Sequence, residues 1–169
     1  MSDRAAFLDR DGVLIVDSGH PHKAEHLVFV EGAGAAVRRL RAAGFRVVVA
    51  TNQSGVGRGY FTEAQMEAFH RLMVETLASE GAEIDAVYAC PYVAEAEIEA
   101  YRHPDHPDRK PNPGMLLRAI ADLDLEAEGS ILIGDKPSDV EAARRAGVRG
   151  FLFEGGDLDA FVAALLTGD

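Results

Sequence analysis

Tryptophan is absent from the chain, and cysteine occurs once, at Cys90. A single thiol excludes an intrachain disulfide framework and the small stapled folds that depend on one. No apolar stretch approaches the roughly 18 residues that a membrane-spanning helix needs, so no membrane partner is expected. The opening Met1-Ser2-Asp3-Arg4 runs straight into a short apolar segment, without the longer apolar region of a signal peptide, and the expected location is the cytoplasm. Basic residues are scarce as well: 17 Lys and Arg face 28 Asp and Glu, a formal net charge of −11. Tracking a nucleic-acid backbone draws on an excess of cations, so nucleic acid is not an expected partner.

What remains is an ordinary folding composition. Hydrophobic residues make up 47% and charged residues 27% of 169 positions, near the globular average of roughly 45–50% and 25%, enough for one buried core. No repeat, low-complexity tract or Gly/Ser linker divides the chain, so residues 1–169 are expected to form a single domain, with a monomer as the default. Short apolar runs at 5–9, 46–51, 84–90, 130–135 and 148–153 alternate with helical patterns. That alternation predicts an α/β fold, a doubly wound, Rossmann-like, mostly parallel sheet with helices on both faces.

Helix signals fill the gaps. Ala33, Ala36, Val37 and Leu40 recur at helical spacing before Gly44, and Thr62 with Gln65 forms a capping box ahead of Met66, Phe69, Met73 and Leu77. Asn112-Pro113 places a cap candidate before a first-turn proline, Ser138 with Glu141 repeats the capping-box pattern before Gly147, and Asp157 can cap a last helix. The segment 91–109, with Glu95, Glu97, Glu99 and three prolines, has little periodicity and reads as a long surface loop, its acids a solvated edge.

In parallel sheets of this kind ligands bind outside the carboxyl ends of the strands. Those ends carry Asp9-Arg10-Asp11-Gly12, Thr51-Asn52-Gln53-Ser54-Gly55 and Gly134-Asp135-Lys136, and Lys110 arrives just before a helix. Asp9, Asp11 and Asp135 make an oxygen-rich site suited to Mg²⁺, which takes one or two carboxylates, waters and a phosphate. Alternate residues Asp9 and Asp11 point to one side of a continued strand, so one carboxylate can attack while the other handles protons. Thr51 and Lys110 add a hydroxyl and a cation for the oxygens of a transferring phosphoryl group. Hydrolysis of a phosphate monoester demands acceleration of up to ~10²¹-fold, about 28 kcal/mol, whereas one acid–base group contributes about 10²–10⁴-fold. Nucleophile, acid, metal and cation are needed together.

Asp9-Arg10-Asp11-Gly12-Val13, the strand-end Thr51, Lys110 and Gly134-Asp135 with Asp139 four residues on resemble the four motifs of the haloacid dehalogenase superfamily, in order along nearly the whole chain. The segments Thr51–Gly59, Cys90-Pro91 and Arg109–Leu116 are similar to its branch of heptose-bisphosphate and histidinol-phosphate phosphatases, the heptose group more closely. The resemblance implies a catalytic domain without a cap and an aspartyl-phosphate intermediate, with release of the 7-phosphate of a heptose 1,7-bisphosphate. Asp9 would be nucleophile and metal ligand, and Asp11 the acid–base group with its main-chain carbonyl on the metal. Asp135 would be the remaining carboxylate ligand, the Lys136 main chain would lie nearby, and Asp139 would stand behind them. Thr51 and Lys110 would hold the phosphoryl oxygens. Asp17, Ser18, Gly19, His20, Asn52, Gln53, Ser54 and Arg109 would contact a small phosphorylated metabolite, a sugar bisphosphate. Many family members carry a zinc loop, but here its positions are Cys90, Tyr92, His106 and Asp108, and this degenerate ligand set argues against zinc.

Other readings stay open at this point. A receiver-like signalling domain shares the layout, an acidic metal pocket, a Thr and a Lys, but has no need of an acid–base group two residues after its phospho-acceptor. Histidinol phosphate, or another small sugar phosphate, is the alternative substrate. His20, His22 and His26 lack the flanking pattern of a metal cluster, and Cys90, with no histidine partner in its setting, reads as a buried strand-end thiol.

Overall fold

The computed structural model describes residues 3–168. Met1 and Ser2, where the leader expectation begins, and Asp169 lie outside the described residues. Five strands, β1 (Asp3–Leu8), β2 (Phe45–Asn52), β3 (Ala86–Cys90), β4 (Leu125–Gly134) and β5 (Arg149–Leu152), form one sheet in the order β3-β2-β1-β4-β5. Every pairing is parallel. The helices are α1 (Ala33–Ala42), a single turn α2 (Ser54–Gly57), α3 (Glu63–Ser79), α4 (Gly114–Asp122), α5 (Pro137–Ala146) and α6 (Leu158–Thr167). The predicted α/β class holds, and between β1 and β2 the chain carries a loop and α1, with no folded cap.

The strands read as continuous apolar runs because both faces of the sheet are covered. Along β1, Ala6 and Leu8 face one layer, joined by Val47, Val49, Ile131 and Ile133 and packed by α1, α3 and α6 through Leu40, Phe69, Met73 and Val162. Ala5 and Phe7 face the other, with Val48, Ala50 and Leu132 against Met115, Leu116 and Ala119 of α4 and Ala142 and Ala143 of α5. The period-2 alternation of a strand thus splits one sequence between two half-cores.

Several local expectations need correction. β4 begins five residues before Ser130, and its register against β1 shifts between Arg4 and Ala6. There the Ser130 hydroxyl accepts the Ala5 N–H at 2.9 Å, standing in for a ladder carbonyl. The Ser138/Glu141 box does not form: Pro137 opens α5, and Asp139 performs the capping by accepting from the Lys136 N–H at 3.0 Å. Proline suits that first position because its missing N–H has no intrahelical partner there anyway. Asn112 is not a cap either, since Pro113 precedes α4 and the Asn112 amide donates to Asp105 and to the His106 carbonyl. The Thr62–Gln65 box forms as predicted, with both reciprocal bonds in place.

The segment 91–109 is more ordered than its composition suggests. A 3₁₀ turn at Glu99–Tyr101 folds it back, Val93 and Ala96 are buried, and Val93 bonds through its backbone to Tyr101 and His103. Glu95, Glu97 and Glu99 are exposed, as expected of a solvated edge. No helix is long and apolar enough to cross a membrane among the described residues.

Phe7 is fully buried at the centre of one half-core. Phe7→Ala is expected to cost about 3–5 kcal/mol, and Thr62→Ala, which removes only the cap, about 1 kcal/mol. Urea denaturation of both variants checks the ranking.

Candidate active site

The strand order reverses at β1, between β2 on one side and β4 on the other, and the crevice at such a point is where an α/β sheet receives its ligand. A cleft of about 500 Å³ opens there, lined by Asp9, Asp11, Thr51, Gln53, Lys110 and Asp139 among others. Asp9 leaves the end of β1, its N–H bonded to the Ile133 carbonyl of β4 at 3.1 Å, so the carboxylate is carried on two paired strands.

Lys110 is buried among acceptors. Its Nζ lies 3.2 Å from Asp9 Oδ1 and 2.6 Å from Asp139 Oδ1, and it donates to the Ala50 carbonyl at 2.8 Å. Burial alone would lower the pKa of that ammonium, but Asp9 and Asp139 outweigh it and the net shift is upward. Asn52 fixes the lysine backbone reciprocally, donating to the Lys110 carbonyl at 3.1 Å and accepting from its N–H at 3.0 Å. Asn52 lines the cleft, but its amide is engaged with Lys110 on both sides.

Asp139 faces β4 from the first turn of α5. One oxygen meets Lys110, and the other accepts the N–H groups of Asp135 and Lys136 at 3.1 and 3.0 Å. Gly134 permits this approach, because a Cβ there would lie 2.2 Å from the Asp139 Cβ. At the facing turn Gly12 has φ +89°, and a Cβ would stand 2.2 Å from Asp135 Oδ2. Both glycines are places where a side chain would displace an acid.

Asp9, Asp135 and Asp139 bring carboxylate oxygens within 4.8 Å of one another. Burial, and then the Asp9 carboxylate, push the Asp135 pKa up to about 7, and its Oδ1 is buried without a hydrogen-bond partner. An orphaned carboxylate oxygen among acids suits a cation, and an all-oxygen donor set fits a hard ion such as Mg²⁺. Both Asp139 oxygens are already taken by protein donors, which leaves Asp9 and Asp135 as the carboxylates free to bind it.

The remaining predicted residues are distributed unevenly. Asp17, Gly19, His20, Ser54, Arg109 and Lys136 line the cleft. Ser18 is exposed and lies outside the cleft lining, on the turn where Asp17 accepts the Gly19 N–H at 3.0 Å. His20 is held edge-on to Tyr60, His22 stacks on Phe61, and His26 Nδ1 accepts the backbone N–H groups of His22 and Lys23. At the zinc-loop positions the Tyr92 and His106 rings stack 3.9 Å apart and 2° from parallel, Asp108 pairs with Arg118, and burial raises the Cys90 thiol pKa.

Arg10 carried no expected role, yet it is fully buried and grips both oxygens of Asp11, Nε to Oδ1 at 2.7 Å and Nη2 to Oδ2 at 3.2 Å. Gln53 adds a donor to Asp11 at 3.3 Å and another to the Thr51 hydroxyl at 2.8 Å. The signal available in the sequence was chemical: a buried arginine has to be paired, and two acids flank this one.

A parallel sheet whose first strand ends in paired aspartates, with a lysine bridging Asp9 to an acid beyond β4, defines a phosphate-ester hydrolase of the haloacid dehalogenase type. Residues 108–163 match the HAD-hydrolase-like family model. The chain is 47% identical over 163 residues to the D-glycero-beta-D-manno-heptose-1,7-bisphosphate 7-phosphatase of Rhodopseudomonas palustris, covering 96% of this chain and 89% of that protein. It is 44% identical over 148 residues to the D-glycero-alpha-D-manno-heptose-1,7-bisphosphate 7-phosphatase of Burkholderia mallei, covering 88% of this chain and 78% of that one. The crystal structure of D,D-heptose 1,7-bisphosphate phosphatase from B. bronchiseptica, complexed with magnesium and phosphate, superimposes with a TM-score of 0.81 at 32% identity, covering 98% and 99% of the two chains. The chain belongs to the haloacid dehalogenase superfamily and is a phosphatase.

The raised Asp135 pKa has a thermodynamic consequence in the absence of metal. A carboxyl that binds its proton more tightly when folded stabilises the fold below about pH 4 and loses that contribution as pH rises through about 7. Metal-free protein is therefore expected to lose melting temperature across that window, with a shallower loss in Asp135→Asn. Added Mg²⁺ should restore stability at pH 8 in the wild type and not in the variant, as read by thermal unfolding.

Proposed function

We propose that the enzyme releases the 7-phosphate of D-glycero-D-manno-heptose 1,7-bisphosphate through an aspartyl-phosphate on Asp9, in a single Mg²⁺-dependent catalytic domain. The observation that carries this reading is the pairing of Asp9 with Lys110 at 3.2 Å beside Asp11 in one cleft. It occurs in a chain 47% identical to a protein with that named activity.

In this mechanism the Asp9 carboxylate attacks phosphorus while the bond to the sugar oxygen breaks, and Asp11 delivers its proton to that oxygen. Asp11 then takes a proton from water. The oxygen of that water attacks phosphorus, the aspartyl P–O bond breaks, and inorganic phosphate leaves with Asp9 restored. Lys110 and Thr51 face the phosphoryl oxygens as charge develops on them, held in a buried setting where such contacts are strong. Asp9, Asp135 and the Asp11 main-chain carbonyl, beside the Lys136 backbone, would hold Mg²⁺, which when bound neutralises phosphoryl charge. Arg109, which lines the cleft and donates to the Tyr92 carbonyl at 3.4 Å, would meet a sugar hydroxyl or the second phosphate. Asp17, Gly19, His20 and Ser54 contribute the remaining walls around the sugar.

The test is phosphate release from heptose 1,7-bisphosphate anomers, histidinol phosphate and generic monoesters. Heptose bisphosphate should rank first; equal rates on generic esters would refute the substrate and leave the phosphatase class intact. Asp9→Asn should abolish turnover, and Asp11→Asn should lower kcat by about 10²–10⁴-fold.

A further inference from the structure

Arg10 has four guanidinium contacts. Besides the two to Asp11, Nη2 donates to the Pro21 carbonyl at 2.9 Å and Nη1 meets His70 Nε2 at 3.0 Å. Arginine offers only donors, so His70 Nε2 is the acceptor and the ring is the neutral tautomer with its proton on Nδ1. Burial, with the charge of Arg10 added to it, lowers the His70 pKa to about 3, so that acceptor persists across the range in which the enzyme would operate. The guanidinium also sits 4.9 Å from the Phe69 ring centroid.

We propose that His70 is a positioning residue for Asp11, acting through Arg10. The inference rests on the acid–base role given to Asp11 above. A guanidinium is a rigid plane, so the direction of its Asp11-facing edge follows from what holds its far edge. Here His70, from the interior face of α3, holds the far nitrogen Nη1, and the Pro21 carbonyl, from the loop at the cleft wall, accepts from Nη2 as well. His70 is 7% exposed and lies beside an open groove between α3 and β3, away from the residues that line the catalytic cleft. It touches no reacting atom, and its effect has to travel through the arginine fork.

Two substitutions separate this role from simple packing. His70→Gln keeps an acceptor at the reach of Nε2, whereas His70→Leu keeps apolar volume beside Phe69 and removes the acceptor. The steady-state constants of both are to be measured on heptose 1,7-bisphosphate and on p-nitrophenyl phosphate, with melting temperatures alongside. His70→Gln is expected within about twofold of wild-type kcat, and His70→Leu about tenfold lower with KM changed less than about twofold, the pattern of a displaced catalytic group. Wild-type kcat in His70→Leu, or an equal loss in both variants, would overturn the proposal. Should His70→Leu fail to fold, His70→Asn takes its place with the same expected loss, its amide being one bond too short to reach Arg10. If the wild type hydrolyses p-nitrophenyl phosphate but does not favour the heptose ester, the substrate assignment fails while the His70 comparison still reads out.

Discussion

The buried Lys110 ammonium is the contact on which the rest of the site depends. Asp9, Asp135 and Asp139 converge at the ends of β1 and β4, and like charges so close in a partly desolvated setting repel strongly. Lys110 bridges two of them and donates a third bond to the Ala50 carbonyl of β2. A single cation thereby ties β1, β2 and α5 together at their catalytic ends. Removing it would leave two buried acids facing each other, a loss of both packing and chemistry. Asn52 and Gly134 belong to the same arrangement: one fixes where the lysine backbone lies, the other lets Asp139 come close enough to meet it.

That contact occupies one oxygen of Asp139 and one of Asp9, and positive charge is short at Asp135. The elevated Asp135 pKa and its unpaired Oδ1 are two expressions of the same shortfall. Net charge conceals this. An overall −11 would suggest a molecule that rejects phosphate, yet screening over about 8 Å at physiological salt leaves neighbouring groups in control. Within the cleft the acids are arranged around cations, and the acidity at Asp9 and Asp135 is what would retain a divalent one.

The sheet was legible in the sequence because β1, β2 and β4 are buried on both faces and so appear as unbroken apolar runs. The cleft residues were legible because polar residues interrupt those runs at their carboxyl ends. Element starts were harder to read. Pro137 advanced α5 past its apparent Ser138 box, and a register shift answered by the Ser130 hydroxyl lengthened β4. Asn52 belongs to the polar run that ends β2, and pattern alone does not show that its amide is committed to Lys110. His70 was hidden for a different reason: it falls on the apolar spacing of Met66, Phe69 and Met73, where one more core side chain is the natural reading. Its partner is 60 positions away, and only folding brings the two together.

The two neighbouring aspartates, Asp9 and Asp11, stand in different surroundings, because the chain provides them with two kinds of cation. Asp9 meets a compact ammonium that is shared with Asp139 and Ala50, so its free oxygen is left toward Asp135 and the cleft. Asp11 meets a planar fork that engages both of its oxygens and fixes their orientation, while Gln53 joins it to Thr51. Lysine can act as a point charge between several acceptors, whereas arginine constrains the plane of the carboxylate it binds. Exchanging the two cations would therefore preserve the formal charge and lose the difference in geometry. The Asp-Arg-Asp triplet is accordingly a unit of three: the middle residue turns inward to the core, and from there it governs the geometry of the acid that follows it.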